Sequence, residues 1–95
     1  MLKAGRIAPL HELSLALEVC RIAEDQVGTA ALGRVRELGL VVGTDSGVEP
    51  DCLGFYLDVI LADPPFHGAR VAMEVVPGDE LRVSYLEVED GGPTD

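Results

Sequence analysis

The sequence predicts a two-layer α+β domain in which two helices pack on one face of a small mixed three-stranded sheet. Apolar residues recur at helical spacing in two segments and alternate at strand spacing in three others. These segments follow the order helix, strand, helix, strand, strand. A chain of 95 residues, 47% of them apolar, is long enough to bury a core as one domain without disulfides or metals.

The first helix is predicted over residues 10–28. Its apolar stripe recurs at three- and four-residue steps and comprises Leu13, Ala16, Leu17, Cys20, Ala23 and Val27. Glu12 and the later charged residues are mostly expected on the opposite, polar side. Gly28 is a natural stop, because glycine readily adopts the left-handed conformation that ends many helices.

A strand and a second helix follow. From Val35 to Val42 the period changes to two, which indicates a strand with one buried face, and residues 43–47 form a loop. The second helix begins at Glu49-Pro50-Asp51, because proline fits a first turn and acidic residues complement the helix dipole. Pro64-Pro65 ends it. Its apolar stripe is Leu53, Leu57, Ile60 and Leu61, broadened by Phe55, Tyr56 and Val59.

Two more strands are predicted, Ala69–Val76 and Glu80–Glu89. The residues between them, Pro77-Gly78-Asp79, are typical of a tight turn and predict an antiparallel hairpin. Within the last strand the alternation slips between Tyr85 and Leu86, which predicts a β-bulge over residues 84–86. The preceding strand–helix–strand unit suits a right-handed crossover joining two parallel strands.

Composition excludes several classes of function. The formal net charge is −10, from 17 acidic and 7 basic residues, so the surface repels nucleic acid. No run approaches the ~20 apolar residues of a membrane span. The two cysteines, Cys20 and Cys52, form no C-x-x-C pair, so we expect free thiols, no bound zinc and a cytoplasmic location. No arrangement of nucleophile and base indicates an enzyme.

The candidate metal-binding residues are His11 and Glu12. An imidazole beside a carboxylate can contribute to a metal site, but the same pair also suits a solvated helix end. His67, the other histidine, stands in a loop far along the chain and is more readily explained as an idle surface residue. From the residues alone, the solvated helix end is the simpler interpretation of His11-Glu12.

Three segments in order resemble the HypA family of nickel-delivery chaperones of [NiFe]-hydrogenase maturation. They are "HELSLALEV" from residue 11, "VVGTDSGVEPDCLGFYLDVI" from residue 41 and "ELRVSYLEVE" from residue 80. The resemblance covers residues 11–89. It implies nickel as the ion, His11 and Glu12 as metal-site residues, and a nickel-handling GTPase and the hydrogenase large subunit as partners.

The chain departs from the family pattern in two places. The family's zinc ribbon lies between the last two strands, where this chain has only Pro77-Gly78-Asp79, so zinc is not carried over. The family's nickel site uses the free amine of residue one, amide nitrogens and the imidazole at position two. Here ten residues precede His11. A start at the Leu10 codon, read as methionine, would restore Met-His-Glu.

The sequence therefore divides into an N-terminal extension over residues 1–10, for which a misplaced start is one explanation, a HypA-like domain over residues 11–89, and an acidic, disordered tail over residues 90–95. Two main functions stay open, beside a weaker third in which the chain is a stand-alone structural domain that shares only the fold. One is nickel binding and delivery in hydrogenase maturation. The alternative is a non-metal adaptor that keeps only the family's docking surface. The sequence leaves the oligomeric state undetermined.

Overall fold

The computed structural model describes residues 8–89, with side chains described for residues 12–89. The elements are helix α1 (Ala8–Val27), a short 3₁₀ helix (Thr29–Arg34), strand β1 (Val35–Gly43), helix α2 (Pro50–Leu61), strand β2 (Arg70–Val76) and strand β3 (Leu81–Val88). The predicted helices and strands are all present, and the α+β class is confirmed. The 3₁₀ helix was not predicted.

The sheet has the strand order β2-β1-β3, with β1 parallel to β2 and antiparallel to β3. The mixed sheet and the parallel pair are confirmed. The prediction that β2 and β3 form an antiparallel hairpin is wrong, because β1 lies between them in the sheet. From Leu38 to Gly43 every residue of β1 is buried, so this strand takes the centre of the sheet and has a partner on each side.

The connection from β2 to β3 crosses the end of β1 and is not a tight hairpin turn. The N–H of Thr44 donates to the carbonyl of Val76 at 2.8 Å, and the N–H of Asp45 donates to that of Gly78 at 2.7 Å. The N–H of Gly43 donates to the carbonyl of Glu80 at 2.5 Å. These bonds hold the short connection against the end of β1. A module inserted into this connection would therefore project from the sheet beside the end of β1.

The predicted bulge in β3 is confirmed. Gly39 is opposite Tyr85 and Leu40 is opposite Val83, which leaves Ser84 as the extra residue. The bulge lets Val83 and Leu86, which lie three positions apart and would face opposite sides of a regular strand, both pack against the core. A second irregularity lies in β1 between Val35 and Glu37.

One core joins both helices to one face of the sheet. Its fully buried members are Ala16, Ala23, Leu38, Val42, Leu53, Leu57 and Leu61. Val71, Met73 and Val75 are opposite Leu38, Leu40 and Val42, so they share a strand face as expected.

Three apolar residues assigned to the helix stripes are exposed instead. Leu17 is 54% exposed, and Phe55 and Val59 are 62% and 51% exposed. In α1 the buried stripe runs through Ala16, Val19 and Ala23, and its rotation turns Leu17 outward. In α2 the core takes Leu53, Leu57 and Leu61, which leaves Phe55 and Val59 on the far side.

Candidate functional site

Glu12, expected on the polar side of α1, is completely buried. It precedes Ala16 by one helical turn and therefore belongs to the same buried stripe as Ala16, Val19 and Ala23. Its Oε2 accepts a hydrogen bond of 2.8 Å from the backbone N–H of Glu49. The assignment of Glu12 to the solvated side is wrong, because the stripe is defined by small residues and not by the leucines.

The bond from Glu49 fixes the start of α2. Glu49 is the N-cap residue of α2, and its own side chain makes no capping hydrogen bond. In a capping box, a carboxylate three residues into the same helix accepts the N-cap N–H. Glu12 performs this task from another helix. A carboxylate at a helix N-terminus is also favoured by the helix dipole, so α1 and α2 are joined electrostatically as well.

The second carboxylate oxygen of Glu12, Oε1, has no hydrogen-bond partner among the residues that the structure describes. Buried polar atoms are normally satisfied, so this oxygen is available to a donor or a cation. Cys52 is close by in the first turn of α2. Burial, followed by the charges of Glu12 and Glu49, raises the pKa of the Cys52 thiol. The start of α2 is thus an acidic environment that disfavours a thiolate.

The backbone of Leu10, His11 and Glu12 is helical, since α1 begins at Ala8. In a helix each amide N–H is directed toward the preceding turn. A planar chelate through amide nitrogens requires those amides to lose their protons and turn toward one ion. The helical first turn and such a chelate are therefore mutually exclusive. The side chain of His11 lies outside the described part of the chain.

His67 does not lie near Glu12. It is exposed in the loop before β2, beside Val35 at the start of β1, whereas Glu49 follows the end of β1. His67 and Glu12 therefore lie near opposite ends of the sheet. Within the described residues, no three histidine, cysteine, aspartate or glutamate side chains are grouped closely enough to hold a metal ion.

Both cysteines are free, as expected. Burial raises the pKa of the Cys20 thiol to about 11. Because the thiolate is the nucleophile, the folded protein should alkylate slowly at Cys20.

In a Cys52→Ser variant, we expect iodoacetamide at pH 8 to modify Cys20 on the order of tenfold to 100-fold more slowly in the folded protein than in urea. The difference between the two alkylation rates should become smaller as the pH rises toward the raised pKa of Cys20. Mass spectrometry of timed samples measures both rates. Equal rates in the folded and unfolded chains would show that burial does not protect the thiol.

An exposed network crosses the face of the sheet opposite the helices. Glu37 of β1 accepts hydrogen bonds from the Tyr85 hydroxyl on β3 and from Arg70 Nη2 on β2, the latter at 2.8 Å. The bond from Tyr85, and then that from Arg70, lowers the pKa of Glu37. The same bond raises the pKa of Tyr85. The network joins all three strands, which is a structural role.

These features define a class of protein: a small α+β domain whose candidate site is a histidine–glutamate pair on the first helix, anchored to the start of the second helix. Comparison with known proteins identifies the family. Residues 10–88 match the model of the family described as "Hydrogenase/urease nickel incorporation, metallochaperone, hypA". The chain belongs to the HypA family.

Curated relatives agree with this assignment. The chain is 43% identical over 68 residues to hydrogenase maturation factor HypA of Roseiflexus sp., covering 72% of this chain and 55% of that protein. It is 41% identical over 69 residues to the HypA of Azoarcus sp., covering 73% and 60%. With the HypA of Alkalilimnicola ehrlichii it shares 36% identity over 113 positions, covering 84% of this chain and 100% of that protein.

The chain spans 55–61% of the length of the first three relatives it matches. The alignment with the Alkalilimnicola protein has more positions than this chain has residues, so part of that relative has no counterpart here. Among the described residues, neither helix combines the length and the apolar character needed to cross a membrane.

Proposed function

We propose that this protein binds nickel through residues 10–12 and delivers it during [NiFe]-hydrogenase maturation in the cytoplasm. His11 supplies the imidazole, and Glu12 supplies a buried negative charge and an anchor. A nickel-handling GTPase and the hydrogenase large subunit are the proposed partners. The family's zinc role is not included, because four residues, 77–80, join β2 to β3 and none of them is a cysteine.

The burial of Glu12 is the observation that carries this proposal. A solvated helix end would leave Glu12 in water, yet its side chain is fully buried and holds the N–H of Glu49. His11 is therefore attached through one peptide bond to a residue that is fixed on α2. A ligand adjacent to a fixed residue loses less conformational freedom when it binds an ion, which favours affinity.

The residue at which the chain starts determines which nitrogen donors are available to nickel. The family match begins at residue 10, which is the position that a Met-His-Glu start would occupy. With residues 8 and 9 present, the backbone at residues 10–12 is helical and its amides are directed into the helix. With a free amine at residue 10, that preceding turn is absent. The amine, amide nitrogens and imidazole can then form fused chelate rings in the planar, nitrogen-rich geometry that suits Ni(II).

The test compares two forms of the protein by isothermal titration with Ni(II). One is the 95-residue chain, and the other begins Met-His-Glu with methionine in place of Leu10. We expect the short form to bind on the order of 100-fold more tightly and to show the absorption of a planar nitrogen site. Its affinity should rise with pH, because nickel displaces protons from the amine and the amide.

Two single substitutions in the short form serve as a matched pair. His11→Ala should abolish tight binding, whereas His67→Ala should leave it within about twofold, since His67 lies at the other end of the sheet. Equal nickel affinity in the long and short forms, or a silent His11→Ala, would overturn the nickel function. The non-metal adaptor would then be the better description of the protein.

A further inference from the structure

A groove runs between α2 and the outer strand β2. It is open, has a volume of about 400 Å³, and is lined by Asp51, Gly54, Phe55, Asp58, Val71 and Met73. Phe55 is 62% exposed, so a large aromatic side chain stands beside the groove largely uncovered by the residues that the structure describes. The groove lies on the helix side of the sheet, where Val71 and Met73 face α2.

The width of the groove depends on Gly54. A Cβ added at Gly54 would meet only the Met73 Cε, at 3.8 Å, which is an ordinary contact. A glycine in the middle of a helix lowers the stability of that helix. Here it leaves space above Met73 that a larger residue would fill.

β2 is an edge strand, with β1 on one side and no other strand of the described residues on the other. Sheet edges are usually blunted by proline, lysine or bulges, because their free N–H and C=O groups pair readily with another strand. β3 has such a bulge at Ser84. β2 pairs with β1 without interruption over Arg70–Val76 and contains neither proline nor lysine. Its Arg70 is already held by Glu37.

The charge around the groove indicates which kind of partner it can bind. Asp51 and Asp58 stand on the helix side of the groove, and Glu74 lies on β2; none of the three pairs with a basic side chain among the described residues. The chain as a whole carries a net charge of −10, so a second copy would bring two acidic grooves together and is disfavoured. A basic partner is attracted to the same surface.

We propose that the β2 edge and this groove bind an extended segment of a partner protein in which basic and apolar residues alternate. The segment adds a strand to β2 through main-chain hydrogen bonds. Its apolar side chains pack on Val71, Met73 and Phe55 on the helix side of the sheet, and its lysine or arginine side chains, which alternate to the opposite face, pair with Glu74. This is strand addition with specificity from alternate side chains. It is separate from nickel binding and requires no metal.

The test uses a capped, fluorescein-labelled octapeptide of alternating lysine and valine, with the 95-residue chain in EDTA. Fluorescence anisotropy should detect saturable binding that weakens with salt, and the glutamate–valine counterpart should not bind. Gly54→Leu should weaken binding at least tenfold without changing any charge. Glu74→Gln should weaken it about threefold. Glu24→Gln, which makes the same charge change on α1, should have no effect.

Hydrogen exchange locates the peptide independently. We expect backbone amides of Arg70–Val76 to gain protection on binding, while those of Leu81–Val88 do not. If Gly54→Leu binds the peptide as well as the unaltered chain does, the attraction is non-specific charge attraction and the proposal fails. Protection confined to β3 would also overturn it. Because EDTA is present, neither outcome depends on whether the protein binds nickel.

Discussion

Replacing Gly43 by valine is expected to destabilise the fold by about 3 kcal/mol. Gly43 ends β1, where the connection between β2 and β3 crosses it. Any Cβ at this position would collide with the carbonyl of Gly78 and the backbone N of Glu80. The obstacle is main chain, which cannot turn aside as a flexible side chain can. The connection would have to move and lose its hydrogen bonds to Gly43, Thr44 and Asp45.

Gly54→Ala is the matched control for this prediction. The added methyl group at Gly54 meets one flexible side-chain atom at ordinary distance. Alanine is also a better helix former than glycine, so this variant should gain about 0.5–1 kcal/mol. Urea unfolding followed by circular dichroism at 222 nm measures both changes. A Gly43→Val variant as stable as the unaltered chain would show that the connection does not need to approach β1 so closely.

The elements of the fold could be predicted because each one is encoded by a local period. The strand order could not be obtained in the same way, because Pro77-Gly78-Asp79 supports a tight turn equally well when it crosses a third strand. The sequence signal that would have corrected the order is the uninterrupted apolar run Leu40-Val41-Val42, which suits a central strand better than an edge strand.

The candidate site was only half predictable, for a related reason. The sequence directs attention to His11-Glu12, but a charged side chain is expected in solvent, and the predicted stripe of α1 begins only at Leu13. Extending the spacing of Ala16, Val19 and Ala23 toward the N-terminus reaches Glu12, so its burial had a local signal. No local signal in the sequence indicated the partner of Glu12. Glu49 lies 37 residues away, and the two meet only because α1 packs against the start of α2.

Substituting Glu12 by alanine is expected to cost about 1–3 kcal/mol of stability, because it removes the acceptor of the Glu49 N–H and leaves a cavity beside α2. Glu12→Gln should retain most of the stability. An amide side chain is nearly the same size, and its carbonyl oxygen can still accept this bond. Urea unfolding of the 95-residue chain and its two variants measures the difference.

The same pair of variants separates anchoring from charge in the proposed nickel site. In the form beginning Met-His-Glu, Glu12→Ala frees the segment that bears His11 from α2, so nickel affinity should fall by about tenfold even if the nitrogen donors are unchanged. Glu12→Gln restores the anchor but not the charge. If Glu12→Gln binds nickel like the unaltered protein, Glu12 acts by position, through its bond to Glu49. If it binds as weakly as Glu12→Ala while remaining stable, the negative charge of the Glu12 carboxylate is what matters for nickel affinity.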